Sequence, residues 1–281
     1  MGDFPPRDLP RLRRGAYQFL RRYAALAWQF QHDGNRWEIT LPPEVAALPG
    51  QKRYTAHARQ EARRLARAQL YDLDSGTTRL AAGLGAALWQ GRPEEAVALA
   101  GHPGVAATLE IQPPAASGFV RWRNGIGSNG LGAPVVACHW GPASGGGLWL
   151  AWWADSHAMA AGYAAEIRAA GQPISAGAVT RIFGPLWYEY QELLRPRRGS
   201  ARHGSSIPQP ATAEAGPSSA EAGTPGPTLL HITLATWWLL TCPDAAVQLT
   251  RQPAPDAEQS ADRAAGLCPR PVTVATAART S

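Results

Sequence analysis

Apolar residues at three- and four-residue spacing predict helices in the first third of the chain. Asp8 can cap the first helix, whose apolar face is Leu9, Leu12, Ala16, Phe19, Tyr23, Leu26 and Phe30. Residues 36–41 then alternate between apolar and polar side chains, as a half-buried strand does. A second long helix is predicted over residues 54–73, and weaker helical patterns follow at 78–90 and 93–100.

The pattern changes near Gly101, and we place a possible domain sub-boundary at 101–117. Three segments rich in Val, Trp and Leu, at 118–124, 134–140 and 147–154, are separated by glycine-rich turns. They predict a short antiparallel meander. A helix capped by Asp155 or Ser156 follows and runs to Ala170. A last helix is predicted from Ser175 to Leu193, with a kink at Gly184-Pro185.

Composition divides the chain again after residue 195. Residues 196–227 are mostly Pro, Gly, Ala, Ser, Thr and Arg, which cannot bury enough apolar surface to fold. An apolar island at 228–242 interrupts this region, but it is shorter than the ~20 residues that span a bilayer. We therefore expect an α+β body over 1–195, with a helical N-terminal half, a meander and two helices. Residues 196–281 are expected to be a largely disordered, dispensable tail without a transmembrane span.

Positive charge is concentrated at the N-terminal end. The 281 residues carry a net charge of +6, and residues 1–72 hold 13 basic and 7 acidic side chains. Arg59, Arg63 and Arg67 stand four residues apart on one face of the second helix. The first helix adds Arg11, Arg13, Arg14, Arg21 and Arg22. These arginines, Arg14 and Arg21 included, predict contact with nucleic acid or another polyanion, and the alternative is an ordinary solvated helix face.

The segment Asn124 to Gly130 contains Gly-x-Gly-x-x-Gly, the spelling of a nucleotide-binding loop. A dinucleotide site needs a helix after the glycines, but another strand is predicted there. A protein kinase needs a lysine on its third strand, and the single lysine, Lys52, lies upstream. We therefore interpret the glycines as a hairpin turn with positive φ angles and expect no cofactor.

Reactive side chains gather closely only around Cys138, His139, Asp155 and His157. They could form a Cys–His nucleophilic pair or a small metal site. Alternatively, Cys138 packs as a small apolar group and Asp155 caps a helix. Three cysteines without a Cys-x-x-Cys spacing predict neither a disulfide framework nor a zinc site, so we expect reduced thiols and a cytoplasmic protein. A cluster of tryptophans, Trp140, Trp149, Trp152 and Trp153, is expected to form the core of the sheet.

Three functional hypotheses follow. The first is a non-enzymatic, cytoplasmic binding or regulatory protein whose basic N-terminal helices contact nucleic acid. The second is a small enzyme with a pocket near Cys138, Asp155 and His157. The third is a membrane-associated accessory protein that uses residues 228–242, which could instead bind a protein partner or dock on the body.

Overall fold

The fold was established from a computed structural model that describes residues 5–32, 41–92, 111–130, 132–144, 146–169, 177, 181, 184–194, 228–243 and 245–278. The helices are α1 (Leu9–His32), α2 (Pro43–Ala46), α3 (Gln51–Arg67), α4 (Ser75–Trp89), α5 (Ser156–Ala169), α6 (Leu229–Thr241) and α7 (Asp256–Ala264). The strands are β1 (Gln69–Leu73), β2 (Gly118–Trp122), β3 (Val135–Pro142), β4 (Leu148–Asp155), β5 (Leu186–Leu194), β6 (Val247–Gln252) and β7 (Val272–Ala277).

The strands form one mixed sheet in the order β5-β4-β3-β2-β1-β7-β6. β1 is an interior strand, parallel to both of its neighbours, β2 and β7, whereas the other pairs are antiparallel. Helices α1, α3 and α5 cover one face, which we call the α1–α3 face. Helices α4 and α6 cover the other, the α4–α6 face. The molecule is therefore a three-layer structure with two apolar cores.

Along β1, β2 and the middle of β4, side chains alternate between these two cores, as the pleat requires. On β4, Trp153 packs against Phe19 of α1 on the α1–α3 face, with ring centroids 6.1 Å apart. Trp152 belongs to the opposite core. Trp140 packs there too, 5.3 Å from the ring of Trp237 in α6. The tryptophans of the meander are thus core residues, as predicted, and the sheet is covered on both sides.

The expectation of a disordered tail is wrong for the described residues from 228 to 278, and with it the predicted fold class, while residues 196–227 of that tail lie outside the described residues. Thr228 caps α6, and most of the side chains of this helix are buried. The indole N–H of Trp122 donates to Thr236 at 2.9 Å. A Cβ on Gly85 of α4 would lie 2.8 Å from Ile232, so glycine lets α4 and α6 approach closely. The apolar island therefore docks on the body and covers the sheet.

The residues after the island extend the same sheet. β7 pairs with β1 in parallel, with Leu70 beside Val272, and β6 pairs with β7. Helix α7 packs against α1, where Arg13 donates to Asp262 at 2.6 Å. Residues 228–278 thus supply two strands, a covering helix and a buried ion pair, which reverses the expectation that they are dispensable.

Two predicted helices also need correction. The helix predicted over 54–73 ends at Arg67, and Gln69–Leu73 is the interior strand β1. The predicted helix from Ser175 to Leu193 contains β5, which begins directly after Gly184-Pro185. Both segments are short apolar runs whose spacing fits a helix and a buried strand alike.

The predicted helices that became α1, α4 and α5, and the three predicted meander strands, are confirmed. Residues 36–40 of the predicted first strand, the helix at 93–100 and most of the sub-boundary at 101–117 lie outside the described residues. None of the described helices is long and apolar enough to cross a bilayer.

Candidate basic surface on α1 and α3

The solvent side of the α1–α3 layer is lined with cations. α1 and α3 pack against each other on the same face of the sheet. Their exposed basic residues are Arg11, Arg21, Arg22, Lys52, Arg59, Arg63 and Arg67. We call this set the basic surface. None of the seven forms a salt bridge with a described carboxylate. Helix α1 contains no Asp or Glu, and the single acidic residue of α3, Glu61, is buried.

The opposite side of α3 carries a buried polar network. His57, Glu61 and Arg64 recur at helical spacing and face the sheet, and each is at most 5% exposed. Glu61 accepts hydrogen bonds from Arg64 and from Nε2 of His139 on β3, the latter at 2.5 Å. Arg64 also donates from Nε to the carbonyl oxygen of Pro142 at 3.1 Å. Charged side chains of α3 are therefore joined to the meander on this side.

Two aromatic residues of the sheet complete the network. The indole N–H of Trp153 donates to Nδ1 of His139 at 2.9 Å. Because an indole can only donate, the hydrogen on this imidazole sits on Nε2 and faces Glu61. The hydroxyl of Tyr188 on β5 lies 3.2 Å from Nε2 of His57. The network thus connects α3 to β3, β4 and β5.

Burial shifts the titration of these groups. Burial alone would raise the pKa of Glu61, but the hydrogen bond from His139 and the positive charge of Arg64 lower it to about 2. Burial lowers the pKa of His57 to about 4, against the attraction of Glu61. Glu61 is therefore an anion and His57 a neutral ring at neutral pH. Perturbed pKa values often mark active sites, but structural ion-pair networks produce them too.

The network holds α3 in place and is closed to solvent. His57, Glu61 and His139 are all 0% exposed, so a substrate could reach them only if α3 moved away. Gly141 assists the packing, because a Cβ there would lie 2.8 Å from the Arg64 side chain. Arg59, Arg63 and Arg67 consequently project from a helix whose rotation is fixed by buried hydrogen bonds. Inner-face spacing could have revealed Glu61 and Arg64 in the sequence, since both recur with His57 at three- and four-residue intervals.

The arginines of α1 divide into two groups. Arg21 is exposed and belongs to the basic surface. Arg14 donates to Glu258 at 2.6 Å and to Asp262 at 2.8 Å, so acidic side chains of α7 already neutralise it. Arg13 is fully buried against Asp262. Arg14 therefore belongs to the contact between α1 and α7 and not to the basic surface. The sequence alone could not show this, because its acidic partners lie almost 250 residues away in the chain.

The three weak catalytic candidates do not form one reactive group. Cys138 is buried in the core of the α4–α6 face, and burial raises its thiol pKa well above the usual value. His139 points to the opposite face, as the strand pattern predicted. Asp155 accepts the backbone N–H of His157 at 2.9 Å and thereby caps α5, while the His157 side chain is exposed. Within the described ranges, no group of His, Cys, Asp and Glu is suited to hold a metal ion.

The glycine-rich segment is a hairpin loop. β2 and β3 are antiparallel, and the loop between them is closed by the Ile126 N–H, which donates to the Val135 carbonyl oxygen at 2.9 Å. Asn124 and Gly125 have φ angles of 70° and 77°. A Cβ on Gly125 would also approach Pro134 to 2.9 Å. The prediction that glycine serves the geometry of this turn is thus confirmed for Gly125, whereas Gly130 has neither a positive φ angle nor a close neighbouring atom.

One buried cluster was not anticipated. Asp72 on β1 accepts from Arg121 on the neighbouring β2 at 2.6 Å and from Arg123 at 3.0 Å. Asp72 is 0% and Arg121 2% exposed. The register places Asp72 directly beside Arg121, so the pair neutralises charge inside the sheet. Asp72 and Arg121 meet only because β1 and β2 pair in parallel, and no local sequence pattern specifies that pairing.

Geometry and electrostatics thus single out the basic surface as the accessible chemical feature of the α1–α3 layer. Comparison of this chain with models of protein families, with curated proteins and with solved structures finds no match.

Proposed function

We propose that the protein binds nucleic acid through the basic surface of α1 and α3. The observation that supports this proposal is the seven exposed cations on two packed helices that present no exposed carboxylate of their own. A field of one sign attracts polyanions and accelerates their association. Exposed helix faces on soluble proteins usually intersperse both signs of charge, and this pair does not.

The chemistry of the side chains suits phosphate. Six of the seven cations are arginines, whose planar guanidinium groups can donate two parallel hydrogen bonds to one phosphate. Arg59, Arg63 and Arg67 are spaced four residues apart, which places successive Cα atoms roughly 6 Å apart along the helix axis. Because the buried network fixes the inner side of α3, these arginines need little backbone ordering on binding.

Phosphate contacts make a quantitative prediction about salt. Binding that releases counterions weakens with salt with a slope of about 0.9 per neutralised phosphate on a duplex. Changing Arg59, Arg63 and Arg67 to Gln should therefore weaken binding and reduce the slope of log K against log salt by about 3. Fluorescence anisotropy of labelled oligonucleotides, titrated at several salt concentrations, measures both quantities. The loss should be similar on unrelated sequences, since phosphate contacts carry no sequence information.

A matched control separates this surface from net charge. Arg79 on α4, Arg168 on α5 and Arg263 on α7 are also exposed but lie outside α1 and α3. Their combined change to Gln removes the same charge and should leave the slope nearly unchanged. Equal losses from both triple variants would show that net charge alone attracts the oligonucleotide. No binding by the unmodified protein at low salt would refute the proposed function.

A further inference from the structure

The edge strand β6 exposes most of its side chains to solvent. Five of its six residues are exposed, and the sixth, Val247, is half-buried against the α4–α6 core, so the helical layers leave most of the strand uncovered. Leu249 at its centre is 46% exposed and is among the few large apolar side chains with such exposure in the described chain. β7 bonds one edge of β6, and β6 ends the sheet at the other.

Backbone hydrogen bonding identifies the residues that face outward. The Ala278 N–H donates to the Ala246 carbonyl oxygen at 2.9 Å. In an antiparallel ladder the bonded pairs alternate, so Gln248, Thr250 and Gln252 direct their backbone groups toward β7. Val247, Leu249 and Arg251 therefore direct theirs away from the sheet. The Val247 N–H already donates to Ala245. Both backbone groups of Leu249 and Arg251 and the Val247 carbonyl remain for a partner strand.

Among the described strands, β5 and β6 end the sheet, and these two edges differ in the features that prevent further pairing. Proteins protect sheet edges with bulges, inward-pointing charges, proline or covering segments. At the β5 edge the register shifts between Trp152 and Trp153, and β5 carries Glu189 and Glu192. β6 pairs with β7 without a register shift, contains no proline, and has Arg251 as its only charged residue.

We propose that β6 is a dimerisation strand that pairs antiparallel with β6 of a second copy of this chain. A two-fold axis through Leu249 places the two Leu249 residues opposite each other and sets Arg251 against Val247 of the second copy. Four hydrogen bonds then form, two between the Leu249 residues and two from the Arg251 N–H groups to the Val247 carbonyls. The same register buries the exposed leucines and keeps the two arginines apart, so the strand is complementary to itself in charge.

The test compares oligomeric state with the outward hydrogen bonds removed. Light scattering after size exclusion should give twice the chain mass of 29.9 kDa for the unmodified protein. Leu249→Pro removes an outward N–H without removing a bond to β7, so this variant should be monomeric. Leu249→Thr retains the N–H and should still dimerise. A monomer at the highest concentration reached, or a Leu249→Pro dimer, would overturn the proposal.

A cross-link keeps the test decisive if the proline variant fails to fold. In a background with Cys242 and Cys268 changed to Ser, Leu249→Cys should form a disulfide dimer on oxidation. Directly opposed Cα atoms of a bonded pair lie about 5.5 Å apart, within the range for a disulfide. Gln248→Cys is the control, because Gln248 faces Thr250 of the second copy and not itself. Equal cross-linking of both cysteine variants would contradict the two-fold register.

Discussion

The contact between α1 and α7 allows a sharp test of the fold, through Asp262→Ala. The Asp262 carboxylate is 0% exposed and accepts from Arg13 at 2.6 Å and from Arg14 at 2.8 Å. Its removal leaves Arg13, which is also fully buried, without its counter-ion. Breaking a buried ion pair in this way costs about 3–5 kcal/mol. That loss is a large part of the ~5–15 kcal/mol that stabilises an ordinary domain.

Chemical denaturation monitored by tryptophan fluorescence measures this loss. Asp256→Ala is the control, because Asp256 is an exposed residue in the first turn of the same helix and its interaction with the helix dipole contributes at most about 1 kcal/mol. The double variant Arg13→Ala/Asp262→Ala should lose less than the sum of the single variants, since no unpaired charge then remains buried on this pair. A loss below about 1 kcal/mol for Asp262→Ala would refute the docking of α7 on α1.

Three further predictions test other parts of the structure by equilibrium denaturation. Gly125→Ala should destabilise the hairpin by about 1–3 kcal/mol, because its φ is 77° and a Cβ has no room, whereas Gly130→Ala, which meets no neighbouring atom, should be nearly neutral. Thr236→Val should cost about 1–3 kcal/mol of stability, because it leaves the indole N–H of Trp122 buried and unpaired. Thr241→Val, at the exposed end of α6, should cost less. Equal losses in the two variants would contradict the hydrogen bond between Trp122 and Thr236. The free energy of unfolding should fall by up to about 3 kcal/mol as the pH drops from 6.5 to about 4, because the His57 ring binds a proton in the unfolded chain but not in the folded protein. His57→Gln should flatten this pH dependence.

The spacing of apolar residues was sufficient to predict a helix or strand where that element buries a single apolar face. The residues that predicted the first helix, Leu9, Leu12, Ala16, Phe19 and Tyr23, are all buried in the core of the α1–α3 face. The strands β2, β3 and β4 were predicted for a similar reason, since Val- and Trp-rich runs between glycines favour strands. The short meander expected from them is instead part of a larger mixed sheet. These elements depend mainly on neighbours within a few residues, so a single sequence contains the necessary information.

Elements that depend on distant partners were missed. β1 is a five-residue segment after a helix, and its identity as a strand comes from pairing with β2 and β7. Val272–Ala277 does show the Val-Thr-Val alternation of a strand, but the low complexity of the surrounding tail concealed it. The exposed stripe of Arg59, Arg63 and Arg67 followed from spacing alone. Arg14 was assigned to the polyanion-binding residues because its acidic partners on α7 are distant in sequence.

The parallel pair of β1 and β7 has a consequence for how the chain folds during synthesis. Leu70 and Val272 are neighbours in the sheet although about 200 residues separate them in the chain. β1 therefore emerges from the ribosome long before one of its two partner strands exists. Until residues 272–277 are made, one edge of β1 stays open, and α1 lacks the acid that neutralises Arg13. Such non-local pairing slows folding and exposes strand edges to aggregation. The nascent chain is thus expected to need protection of this edge until its synthesis reaches β7.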